Sequence, residues 1–118
     1  MLAKESQLLS FGHTGGVATV TPSWGSELVV QLSTNPSTGY DWVTTNDIPS
    51  CLSLVSTEEL ITADRIQIGS PHILQYVYET IAVCSGDLEY VYMRPWEGLN
   101  SESSRVTIHV RISPAIEL

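Results

Sequence analysis

The side chains with which this chain could do covalent or metal chemistry are Cys51, Cys84, His13, His72 and His109. Nucleophilic catalysis needs an activated nucleophile beside a positioned base. Both cysteines stand in apolar, strand-like runs, and His109 falls on the outer face of a strictly alternating segment. A zinc site asks for Cys or His pairs at ligand spacing, and this sequence has none. The chain therefore reads as a non-enzyme, with no catalytic residue, no metal and no cofactor. The cysteines are expected to be small buried residues with free thiols, because a domain of this size does not need a disulfide. One disulfide between them is the alternative.

What remains is the chemistry of recognition. Asn35-Pro36-Ser37-Thr38-Gly39-Tyr40 stands between two strand-like runs, Leu28–Leu32 and Tyr40–Val43. Asn and Pro open turns, and Gly supplies positive φ at no steric cost. Ser37 and Thr38 are small, so little separates the backbone of this loop from a partner. A connection that only reversed the chain would use about two to five residues. The loop reads either as a presented surface or as an ordinary strand connection. A second stretch, Arg94-Pro95-Trp96-Glu97-Gly98, follows the strand-like run Leu88–Met93. Trp96, after Arg-Pro in a polar loop, is expected to be partly exposed. A Trp beside an Arg is the composition of an interface hot spot. From this loop alone, a Trp96 folded back onto its own core is an equal reading.

Taken together the two motifs point to a family. Asn35–Tyr40 resembles the NPTTGY loop of the chagasin-type inhibitors of cysteine peptidases, and Tyr92-Met93-Arg94-Pro95-Trp96 resembles that family's YMRPW stretch. They occur in the family's order, and the resemblance runs from about Val29 to Ile112. It implies an immunoglobulin-like sandwich whose loops form a wedge at one end. The partners it implies are papain-like cysteine peptidases, cathepsin-L-like enzymes among them, bound reversibly by a monomer. By resemblance, Ser37 and Thr38 enter the active-site cleft and cover the catalytic Cys and His of the enzyme. Asn35, Pro36 and Gly39 shape the loop, and Tyr40 anchors its return strand. Arg94, Pro95 and Trp96 contact one flank of the cleft. The family's third loop is of GxGG type, and the matching position here reads Gly69-Ser70-Pro71-His72. Only the first glycine remains, and Pro71 lacks a backbone donor. This loop is expected to contribute the His72 and Ile73 side chains, or to contribute less. On the residues alone, two other readings stand beside an inhibitor. One is a carbohydrate- or ligand-binding module with Trp96 and the tyrosines as stacking platforms. The other is an adhesion domain that works through sheet faces and edges.

Composition narrows the partners. The 118 residues carry a net charge of −8, with only five lysines and arginines. That opposes nucleic acid, whose phosphates reward basic patches, and opposes an anionic membrane surface. No run approaches the roughly 18 apolar residues of a membrane-spanning helix. The first residues, Met1–Ser6, hold no long apolar run of the kind that heads a secretory signal. The expected compartment is the cytoplasm, with vesicular or secreted placement left open.

The elements that must position these loops are strands. Leu28, Val30 and Leu32 alternate with Glu27, Val29 and Gln31. Leu74, Tyr76 and Tyr78 share a face, as do Leu88, Tyr90 and Tyr92. Val106, Ile108, Val110 and Ile112 alternate with Arg105, Thr107, His109 and Arg111. A period of two marks half-buried strands. Trp42 reads as core. Cys51–Val55 reads as a strand with Leu52 and Leu54 on one face. Ser56-Thr57-Glu58-Glu59 fits a helix capping box and predicts one helical turn. Arg65–Ile68 reads as extended, and Ser85-Gly86-Asp87 predicts a tight hairpin. With 42% apolar residues and turn signals throughout, the chain is expected to form a single all-β domain over 1–118. The fold class is an immunoglobulin-like antiparallel β-sandwich of seven to eight strands.

Overall fold

A computed structural model describes residues 5–35, 38–44, 47–61, 72–98 and 103–114. Alternating apolar side chains make eight strands among these residues: β1 (Ser6–Phe11), β2 (Gly16–Val20), β3 (Glu27–Thr34), β4 (Asp41–Thr44), β5 (Leu52–Ile61), β6 (His72–Thr80), β7 (Ser85–Met93) and β8 (Ser104–Arg111). In β3, Leu28, Val30 and Leu32 are fully buried while their neighbours lie half outside. In β8, Val106, Ile108 and Val110 do the same. The strands form two sheets, ordered β1-β3-β6-β5 and β2-β8-β7-β4. Their inner faces meet in one core. Tyr78 of β6 and Tyr90 of β7 meet there with hydroxyls 2.6 Å apart. Each satisfies the other where an unpaired hydroxyl would be costly. Burial raises the proton affinity of both phenols, that of Tyr78 to a pKa of about 12.

The all-β sandwich expected from the sequence is the fold observed, with two parallel pairings at its edges. β1 runs parallel to β3, and β2 runs parallel to β8. The chain leaves the first sheet after Phe11 and enters the second at Gly16, so one short turn joins an edge of each sheet.

Several local expectations are corrected. Ser56–Glu59 is not a helical turn but the middle of β5, paired residue by residue with β6. A capping box satisfies only a couple of backbone groups, whereas the ladder satisfies the whole segment. Leu52 is buried but Leu54, next to a bulge between Leu54 and Ser56, is exposed, so the two do not share a buried face. Ser85-Gly86-Asp87 is not a hairpin turn. These residues begin β7 and pair with β8, while residues 81–84 carry the chain from one sheet to the other. Gly86 serves close packing, since a Cβ there would lie 2.6 Å from the Pro49 ring. Cys51 and Cys84 are not free thiols but a disulfide, with Cα atoms 5.7 Å apart. The expected extension over Arg65–Ile68 lies outside the described residues.

Register sorts the connections into two ends. Thr34 lies opposite His72, and His72 opposite Ile61. Asp41 lies opposite Met93, Tyr92 opposite Ser104, and Gly16 opposite Val106. The loop after β3, the loop after β7, the start of β6 and the β1–β2 turn therefore share one end. The disulfide is at the other, where Leu52 lies opposite Thr80 and Ser85 opposite Arg111.

Candidate functional site

The described residues of the hexapeptide loop bond to one another. The Asn35 carbonyl accepts from Thr38 N at 3.1 Å and from Thr38 Oγ1 at 2.8 Å. Tyr40 N donates back to Thr38 Oγ1 at 3.3 Å. Gly39 has φ +81°, a conformation that favours glycine. The loop's first residue is tied to the other sheet, where Asn35 N donates to Tyr92 Oη at 3.1 Å. Below it runs a row of rings. Trp42 packs on Tyr92 with centroids 4.8 Å apart, and Tyr92 on Tyr40 at 5.2 Å. Trp42 Nε1 donates to the Ser33 carbonyl at 2.9 Å, so its buried ring keeps its polar atom satisfied.

The second loop closes on the first. Arg94 Nε donates to the Thr38 carbonyl at 3.1 Å, and its guanidinium carbon lies 4.7 Å from the centre of the Tyr40 ring. Arg94 Nη1 meets Glu97 Oε2 at 3.2 Å, and Glu97 N donates to the Arg94 carbonyl at 3.0 Å. Trp96 lies against Gly39. A Cβ at position 39 would come within 2.6 Å of the indole Cη2 atom. Glycine is thus required there both by φ and by the neighbouring ring. Even so, Trp96 is 71% exposed, against 5% for Trp42. The ring rests on its partner loop without capping the core.

Of the thirteen sequence-predicted site residues, Asn35, Thr38, Gly39, Tyr40, Arg94, Pro95 and Trp96 come together in this loop pair. His72 stands at the same end, opposite Thr34 of β3, with Nδ1 2.6 Å from Glu59 Oε1. Pro36, Ser37, Gly69, Ser70 and Pro71 lie outside the described residues. Two supporting residues lie in the quoted motifs but were given no site role from sequence. Tyr92 anchors Asn35, and Glu97 holds the Arg94 fork. The remaining histidines stand apart from one another. His109 pairs with Asp87 at 2.8 Å on the outside of the second sheet, and His13 lies in the β1–β2 turn. With both sulfurs in a disulfide, neither cysteine offers a thiolate.

Residues 21–110 match the family model described as Chagasin family peptidase inhibitor. The chain belongs to that family. As a chagasin-family domain it is a peptidase inhibitor and not an enzyme. Chagasin of Trypanosoma cruzi is 26% identical over 109 residues, covering 90% of this chain and 97% of that one. A cysteine protease inhibitor of Entamoeba histolytica superposes with a TM-score of 0.68 at 24% identity, covering 92% of this chain and all of that one. PbICP-C, solved in complex with falcipain-2, superposes with a TM-score of 0.67 at 20% identity, over 92% and 99% of the two chains. At these identities the two structures bear on the fold alone.

Proposed function

We propose that this domain is a reversible, tight-binding inhibitor of papain-like cysteine peptidases, cathepsin-L-like enzymes included, acting as a monomer. The loop end is the wedge. Ser37 and Thr38 enter the active-site cleft, and Trp96 rests on apolar surface at its flank. His72 stands on the other side of the wedge. Inhibition is by occlusion and involves no bond made or broken in the inhibitor.

The observation that carries this reading is the exposed Trp96 on a loop pair already assembled in the free domain. Contacts already made between the described residues of the two loops reduce the conformational freedom lost on binding, which favours a tight complex. An exposed indole beside an arginine matches the composition of binding hot spots. The match to the chagasin family of peptidase inhibitors supports a peptidase as the partner. A compartment follows from the same reading. The Cys51–Cys84 disulfide supports a vesicular or secreted setting over the cytoplasm, because such bonds persist where conditions are oxidising.

The test is to titrate papain and a cathepsin-L-like peptidase with the purified domain, with trypsin as control. Both cysteine enzymes should be inhibited stoichiometrically and trypsin spared. Absence of inhibition of either cysteine enzyme at micromolar domain removes the proposal.

A further inference from the structure

The β1–β2 turn stands at the wedge end, yet no role above uses it. Gly15 N donates to the Gly12 carbonyl at 3.1 Å and closes the turn. Gly15 has φ +83° and packs so tightly that a Cβ would come within 2.3 Å of the Arg105 carbonyl oxygen. The turn is thereby seated on the first residues of β8, with His13 exposed within it. Between His13 and the hexapeptide loop lies an open cleft of about 540 Å³, whose walls include Thr38, Tyr40, Arg94 and Ser104. That volume falls in the range of sites that receive a ligand group.

The lining is unusual for this chain. The net charge is −8, yet the described residues around the cleft present a guanidinium, an imidazole and several hydroxyls, and no carboxylate. Arg94 gives one N–H to Thr38 and one to Glu97, whereas a guanidinium has five. Donors in a concave site suit an anion, and a planar carboxylate suits the N–H groups of the arginine fork that Thr38 and Glu97 leave over.

We propose that the β1–β2 turn is a fourth contact loop of the wedge, and that the cleft beside it receives an acidic side chain from the rim of the inhibited peptidase. This rests on the inhibitor reading above. His13 is then a specificity residue. It adds affinity for peptidases with an Asp or Glu at that rim and little for those without.

A charge series at position 13 tests it. Inhibition constants for papain and a cathepsin-L-like enzyme are measured with the wild-type domain and with His13→Lys, His13→Ala and His13→Asp, alongside melting temperatures. Because His13 is exposed, all variants should melt close to wild type. Against at least one enzyme, His13→Lys should inhibit as well as wild type or better. His13→Ala should be about threefold weaker, and His13→Asp about tenfold weaker or more, since a like charge in a desolvated contact is costly. Equal constants for Lys, Ala and Asp against both enzymes overturn the proposal. If the wild-type domain inhibits neither enzyme, the inhibitor reading itself falls and takes this proposal with it.

Discussion

The two ends of the sandwich are held together by different means. At the far end the Cys51–Cys84 bond joins the connections flanking the two sheets. Beside it, buried Thr80 Oγ1 accepts from Ser26 N at 2.9 Å and lies 3.0 Å from the carbonyls of Ser23 and Ser26. At the wedge end the ties are exposed: Arg94 to the Thr38 carbonyl, Arg94 to Glu97, and Trp96 on Gly39. Covalent and buried contacts hold the far end, while polar and stacking contacts arrange the wedge. The difference teaches that folding and inhibition are separable. Substitutions at the far end and in the core should lower stability and leave the binding of folded molecules alone. Substitutions in the wedge should do the reverse.

The largest effect is expected in the core beneath the wedge. Trp42→Ala removes a buried indole and should cost about 3–5 kcal/mol of folding free energy, a large share of what a domain this size holds. Chemical denaturation measures it, and the fraction that remains folded should still inhibit. The far end comes next. Replacing both Cys51 and Cys84 with Ser frees a loop of 33 residues. Loop-closure entropy then predicts a loss of about 3–4 kcal/mol. The melting temperature should fall by on the order of 10 °C with an unchanged inhibition constant. A weaker constant in the folded double variant would tie the two ends together and break the comparison.

A smaller effect is expected for Arg94→Ala. It loses a charge-assisted hydrogen bond to Thr38 and the contact over Tyr40. Inhibition should weaken about tenfold, and amide exchange at Thr38 and Gly39 should quicken in the free domain. Weaker inhibition with unchanged exchange would mean that Arg94 acts on the enzyme and not on the loop.

A further effect concerns alkaline pH. Unfolded tyrosines titrate near 10, whereas Tyr78 holds its proton to about 12 because it is buried. Above pH 10 the unfolded state therefore loses protons first, and stability should fall as pH rises from 10 to 12. Melting curves at stepped pH should be flat below that window. The fall should be shallower when Tyr78 and Tyr90 are both replaced by Phe.

Legibility followed the range of the interaction. The faces of β3 and β8 were readable because alternation is a local signal and both strands bury one side. Trp42 as core and Trp96 as exposed were legible from their surroundings. The capping box at Ser56–Glu59 misled because a local side-chain pattern was outweighed by pairing with β6, a distant segment. Gly86 misled because its small size serves a contact with Pro49, not a turn. The disulfide needed a Cα separation that only the assembled sheets define. At the site, the motifs identified the loops, but not how they join. Arg94 and Thr38 are 56 positions apart in the chain, and nothing local announces their hydrogen bond. The place of the β1–β2 turn beside the hexapeptide came only from two parallel edge pairings.

The most direct measurement is Trp96→Ala, with the inhibition constant against papain and the melting temperature taken on the same preparation. Loss of an exposed anchor should weaken inhibition by about 2 kcal/mol, roughly thirtyfold, and move the melting temperature little. Inhibition at wild-type strength, with a melting temperature lowered as far as that of Trp42→Ala, would contradict the wedge and return Trp96 to the core.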